Sequence, residues 1–118
     1  VAEMTGPSFD VELSLREPTS LSIDEIDHLK SNFLIEDRSE NGWGIVLRLD
    51  KSNGLMLNEL LRALIKACEP FESIIALCKP VVRIAVFNPN VNCTVWIDET
   101  ACFAKIRASL EVSVYPAD

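Results

Sequence analysis

Residues 9–16 alternate without a break: Phe9, Val11, Leu13 and Leu15 are apolar, and Asp10, Glu12, Ser14 and Arg16 lie between them. Strand side chains point to opposite faces with a period of two, so this segment specifies a strand with one face buried and the other wetted. A second alternation over 43–50 puts Trp43, Ile45, Leu47 and Leu49 on one face. Strands of this kind suit an antiparallel or mixed sheet with helices packed on one face. A doubly wound parallel sheet would need strands that are apolar on both faces.

The segments between these strands read as helices and turns. Pro18 stops the first strand, and Ser22-Ile23-Asp24-Glu25 then forms a capping box, in which the Ser hydroxyl and the Glu carboxylate each satisfy a free backbone N–H. Leu21 and Ile26 occupy the staple positions. A helix over about 22–31 follows, with Ile23, Ile26 and Leu29 facing inward and Asp24, Glu25 and Asp27 near its positive end. A polar stretch over 36–41 leads through Asn41-Gly42 into the second strand, and Asn53-Gly54 makes the next turn.

Leu57, Leu60, Leu61, Leu64, Ile65 and Cys68 recur at the spacing of an amphipathic helix. Pro70 removes a backbone donor, yet Phe71, Ile74, Ile75 and Cys78 continue the stripe, which predicts a kink or restart. After Pro80, the β-branched run 81–87 predicts a central strand, with a hairpin mate over 91–97 behind Asn88-Pro89-Asn90. Asp98 then caps a helix over 99–108 with Cys102, Phe103 and Ile106 inward. A last strand sets Leu110, Val112 and Val114 opposite Glu111, Ser113 and Tyr115. The expected order is β-α-β-α-β-β-α-β, a single five-stranded α+β domain over 1–118 in which 1–8 form a loose N-terminal segment.

Apolar residues make up 48% of the chain and charged ones 25%, a balance that excludes wholesale disorder. The longest apolar runs, such as Ile74–Cys78, fall far short of the roughly 20 residues that a bilayer span needs. No basic and apolar leader pattern opens the chain, and behind Val1 the residue Met4 is a candidate native start. Cys68, Cys78, Cys93 and Cys102 lack metal or redox spacing and fall on apolar positions. They are expected as buried thiols in a reducing cytoplasm, with a disulfide or a metal role as the alternatives.

The net charge of −7 is confined to the first half: residues 1–60 carry twelve acidic and five basic side chains, whereas 61–118 carry six of each. Scattered Lys and Arg on an acidic chain argue against nucleic acid and anionic membrane as direct ligands, and point to a cationic protein partner. No nucleophile elbow, zinc spacing or phosphate loop is present, and the only histidine, His28, is expected on a solvated helix face. No catalytic residue, metal site or cofactor is therefore expected, and the protein is not read as an enzyme. Glu36, Asp37, Glu40, Asp98 and Glu99 are candidate rim residues for a partner, with Trp43 or Trp96 as an anchor. If the alternations hold, Arg48, Phe87, Trp96 and Tyr115 share the open sheet face with Asp10, Glu12 and Asn92. That face is a second candidate for contact with a partner or a small ligand.

Taken together, the strand 9–16, the capped helix at Ser22, the Trp43-led strand, the Leu-rich helix 57–78 broken at Pro70, and the closing Leu110-Glu111-Val112-Ser113-Val114-Tyr115-Pro116 resemble a widespread bacterial domain-of-unknown-function family. The chain lacks that family's Pro-Thr-aromatic step before the Trp-led strand. The resemblance implies a small bacterial cytoplasmic domain, similar to the immunity proteins of polymorphic and contact-dependent toxin systems. Such proteins often present acidic surfaces to basic nuclease toxins. The implied function is binding and neutralisation of a cognate toxin, and the alternative is a small-ligand or regulatory module that uses the open sheet face.

Overall fold

The alternating segment becomes the central strand of the sheet. In the computed structural model, which describes residues 8–50, 56–87, 97 and 100–115, it forms β1 (Ser8–Leu15). The chain continues through α1 (Ile23–Leu29), β2 (Leu34–Arg38), β3 (Gly44–Arg48), α2 (Leu57–Cys68), α3 (Glu72–Ala76), β4 (Pro80–Phe87) and β5 (Ser109–Tyr115). The five strands lie in the order β2-β3-β1-β4-β5. β1 is antiparallel to both β3 and β4, β2 is antiparallel to β3, and β4 runs parallel to β5. The domain is therefore α+β with a mixed sheet.

Register places Leu13 between Leu47 and Val82, and Val11 beside Ile84, so one face of the three inner strands is continuously apolar. That face packs against Leu29, Leu57, Leu60, Leu61, Leu64, Ile65, Cys68 and Ile75, all buried. The helical stripe restarts at Pro70 as expected: a 3-10 turn over Glu69–Phe71 links α2 to α3, and Ile75 and Cys78 stay on the buried side. The capping box also forms. The Glu25 N–H donates to Ser22 Oγ at 3.1 Å, and the Ser22 N–H donates to Glu25 Oε1 at 2.8 Å.

Several expectations are corrected. The polar stretch at 36–41 is not all loop, because Leu34–Arg38 pair along β3 as an edge strand, β2, and only Ser39–Asn41 form a 3-10 turn. Ile23 is 79% exposed, since the first residue of α1 projects away from the sheet; Leu29 carries the burial instead. The hairpin mate expected over 91–97 lies outside the described residues except for Ile97, which packs against the core but is not in a strand. Both edges of β4 are already occupied, by β1 and by β5, so β4 has no free edge for such a mate. The helix expected over 99–108 is a 3-10 segment, Thr100–Ile106. It buries Phe103 and Ile106 as expected, while the Cys102 side chain lies outside the described set. The element order therefore differs from the expected alternation, with β2 and β3 adjacent in sequence and α2 and α3 in tandem.

Burial also determines the state of the thiols. Cys68 and Cys78 are free and buried, whereas the side chains of Cys93 and Cys102 lie outside the described residues. Desolvation, with the nearby Glu72 charge adding to it, pushes the Cys68 thiol up to about 12 from 9.0. In the unfolded chain this thiol ionises near pH 9, but in the folded chain it does not. Its stabilising contribution is therefore intact below pH 9 and is lost as pH climbs toward 12. Urea unfolding at pH 10.5 is expected to show a loss of roughly 2 kcal/mol relative to pH 7 that a Cys68→Ala variant lacks.

Candidate functional site

The wetted alternation positions of β1 carry Asp10 and Glu12, and the register brings arginines from three other strands to them. Glu12 lies opposite Arg83 of β4, Arg83 lies opposite Glu111 of β5, and Arg38 and Arg48 come from β2 and β3. Glu12 is only 8% exposed and is the hub. Arg83 Nη1 donates to Glu12 Oε1 at 2.7 Å, Arg38 Nη1 donates to the same oxygen at 3.1 Å, and Arg48 Nη1 donates to Oε2 at 3.3 Å. Each guanidinium also holds an outer carboxylate: Arg48 to Asp10 at 2.5 Å, Arg38 to Glu36 at 2.8 Å, and Arg83 to Glu111 at 3.2 Å. Three cations and four anions thus tile the face, each guanidinium bridging Glu12 to one outer carboxylate through charge-assisted hydrogen bonds, which are among the strongest available to side chains.

Aromatic rings border this network. Phe87 and Tyr115, paired across β4 and β5, stack with centroids 5.1 Å apart. The Trp43 ring lies 3.7 Å from the Arg83 guanidinium carbon and 5.4 Å from that of Arg16, a cation–π arrangement. Trp43 was expected beside Ile45, Leu47 and Leu49, yet it sits on the opposite face. The reason is local. Gly42 and Gly44 have φ of 81° and 68°, so the alternation breaks at the start of β3 and the indole swings over the charged face. The buried Ser14 hydroxyl donates to the Trp43 carbonyl and ties this turn to β1.

The candidate rim residues divide into three groups. Glu36 and Asp37 lie on exposed β2 at the sheet edge, and Glu40 lies in the adjoining 3-10 turn. A hydrogen bond from Arg38 holds Glu36 below the usual carboxylate range, and hydrogen bonds from Ser39 do the same for Asp37. Arg48, Asp10, Glu12, Phe87 and Tyr115 come together on one face as the alternation predicts. Trp96, Asp98, Glu99 and Asn92 lie outside the described residues. His28 is exposed on α1. Arg38, Arg83 and Glu111 join the site without a signal in the sequence. The strands of Arg83 and Glu111 are legible and that of Arg38 is not, and only the register of strands distant in sequence makes the three neighbours.

A shallow cavity of about 190 Å³ lies over the network, lined in part by Arg48, Arg83, Phe87, Ser113 and Tyr115. Among the described residues, no cluster of His, Cys, Asp and Glu could hold a metal ion. Also among them, no helix is long and apolar enough to cross a membrane. The fold and face together define an α+β domain that presents a charge-tiled, aromatic-bordered sheet surface. Compared with family models, curated proteins and solved structures, the chain gives no match.

Proposed function

We propose that the protein is a binding protein of the immunity type, which docks a cationic toxin domain against β2 and the adjoining open sheet face and thereby neutralises it in the bacterial cytoplasm. The observation that carries this reading is the placement of charge. Asp10, Glu12 and Glu111 are engaged by arginines in the middle of the sheet. Glu36, Asp37 and Glu40 stand exposed along its edge, with Arg38 the one cation interposed. Trp43 is a few residues away, already flattened against Arg83, and offers an aromatic anchor of the kind that dominates binding energy at interfaces. The lowered carboxyls of Glu36 and Asp37 keep this edge anionic even where ordinary carboxylates begin to protonate.

An acidic edge strand also discourages pairing with the wrong chains, so the same charges select a basic partner and repel copies of this protein. The reading is tested by measuring association with the basic toxin domain encoded by the adjacent upstream gene. Reversing Glu36 and Asp37 to Lys is expected to slow association by about tenfold or more at low salt and to flatten its salt dependence. An unchanged rate and salt slope would remove β2 from the interface.

The second reading, a small-ligand module on the open face, draws on the stacked Phe87–Tyr115 pair beside the cavity. At about 190 Å³ this cavity is below the size usual for drug-sized ligands, roughly 300–1,000 Å³, which favours a protein partner.

A further inference from the structure

We infer that a second hollow, at the end of the sheet where β1 finishes and β4 and β5 begin, is a binding site for a small phosphorylated anion. It has a volume of about 510 Å³ and is lined by Arg16, Lys79, Arg107 and Ser109, with Glu17 the one acidic side chain among the described lining residues. A chain of net charge −7 thus gathers three cations around one cavity. Lys79 Nζ is held by Glu17 at 2.7 Å. Arg16 and Arg107 pair with no carboxylate among the described residues; Arg16 rests only over Trp43.

Backbone conformation sets two of these cations apart. Lys79 and Arg107 are the only non-glycine residues among those described with positive φ, 49° and 54°. Both lie just past helical segments. At Arg107 the ending is explicit: its N–H donates to the Ala104 carbonyl at 3.2 Å, and the Ala108 N–H donates to the Phe103 carbonyl at 3.1 Å. This left-handed terminating position ordinarily takes glycine, which adopts it without steric cost. Here it carries long cationic side chains at both sites, and both point to the same cavity lining. Strained positions of this kind concentrate at ligand clamps, where the side chain is needed despite the strain.

The chemistry favours a phosphoryl group over a generic anion. Two guanidinium forks, an ammonium and the Ser109 hydroxyl supply planar and point donors that match tetrahedral phosphate oxygens. The cavity also has room for a small organic group beyond the phosphate. This site shares no residue with β2, although Arg16 rests over Trp43, and it does not depend on the partner-docking reading.

Calorimetric titration with pyrophosphate at low salt, alongside citrate as a polycarboxylate of comparable charge, tests the inference. Saturable pyrophosphate binding is expected, tighter than that of citrate. Arg107→Gly is expected to leave the melting temperature unchanged or raise it, because glycine relieves the left-handed backbone, and yet to weaken pyrophosphate binding by about tenfold or more. Glu17→Gln should tighten binding severalfold by releasing Lys79, and Lys30→Ala, exposed just past the C-terminus of α1, should change nothing. The inference is overturned by absence of saturable binding at millimolar pyrophosphate, by citrate binding as tightly, by an Arg107→Gly protein that binds normally, or by an equal loss from Lys30→Ala.

Discussion

Replacing Glu12 with alanine is expected to lower the unfolding free energy by about 3–5 kcal/mol, the range seen when one member of a buried ion pair is removed. Glu12 is the shared acceptor of Arg38, Arg48 and Arg83 and is almost fully buried. Without it, three guanidiniums face one another across a few ångströms, each left with one outer carboxylate on the solvent side. Those outer partners, Asp10, Glu36 and Glu111, are each more than a third exposed and are partly screened by water. They cannot replace the buried charge. Glu12→Gln keeps the shape and one acceptor oxygen, and should fall between wild type and alanine. Urea unfolding of both variants checks the order, and added salt should recover part of the loss by screening the uncompensated guanidiniums. A loss below about 1 kcal/mol for Glu12→Ala would mean that the outer carboxylates hold the arginines unaided.

The second large effect is expected at Gly44. A Cβ there would overlap the Leu15 carbonyl oxygen and stand 3.0 Å from its carbon, and φ is already 68°. Left-handed backbone costs a non-glycine residue about 1–2 kcal/mol, and forced overlap with rigid backbone costs a further 1–3 kcal/mol or so. Gly44→Ala should therefore lose about 3 kcal/mol or more, and because β1 and β3 must separate to make room, the Trp43 environment should change with it. Gly42 provides the comparison. Its φ is 81°, but nothing lies within 4 Å of a Cβ there, so Gly42→Ala should lose only the conformational part, about 1–2 kcal/mol. Thermal unfolding, with near-ultraviolet dichroism for the indole, separates the two. Equal losses would show that the close approach of β3 to Leu15 relaxes at no cost.

The sequence carried the elements whose signal is local. Perfect alternation placed β1, the Ser22/Glu25 box placed α1, and the leucine stripe placed α2 through the Pro70 break, because each of these is decided by neighbours within a few positions. β2 escaped the reading: Leu34, Ile35, Glu36, Asp37 and Arg38 lack both alternation and β-rich composition, and the segment is a strand only because β3 offers it an edge. Trp43 was placed on the wrong face because two positive-φ glycines shift the phase of the strand, and no side-chain pattern reports that. The open face was half legible. Asp10, Glu12, Arg48, Phe87 and Tyr115 followed from period two alone, whereas the convergence of Arg38, Arg83 and Glu111 on Glu12 depends on strand order, which is decided by tertiary packing.

The strand order also bears on how the molecule is made. β1 is the first strand among the described residues, yet its far edge is filled by β4, and the Glu12–Arg83 contact spans 71 positions. A nascent polypeptide can assemble β1, β2 and β3 early, but β1 then holds an open, hydrogen-bond-hungry border until β4 has been synthesised. Closure of so long a loop slows folding relative to a helical bundle of equal size. Unpaired strand edges of this kind are where aggregation begins, so the order of synthesis places the hazard before β4 is made.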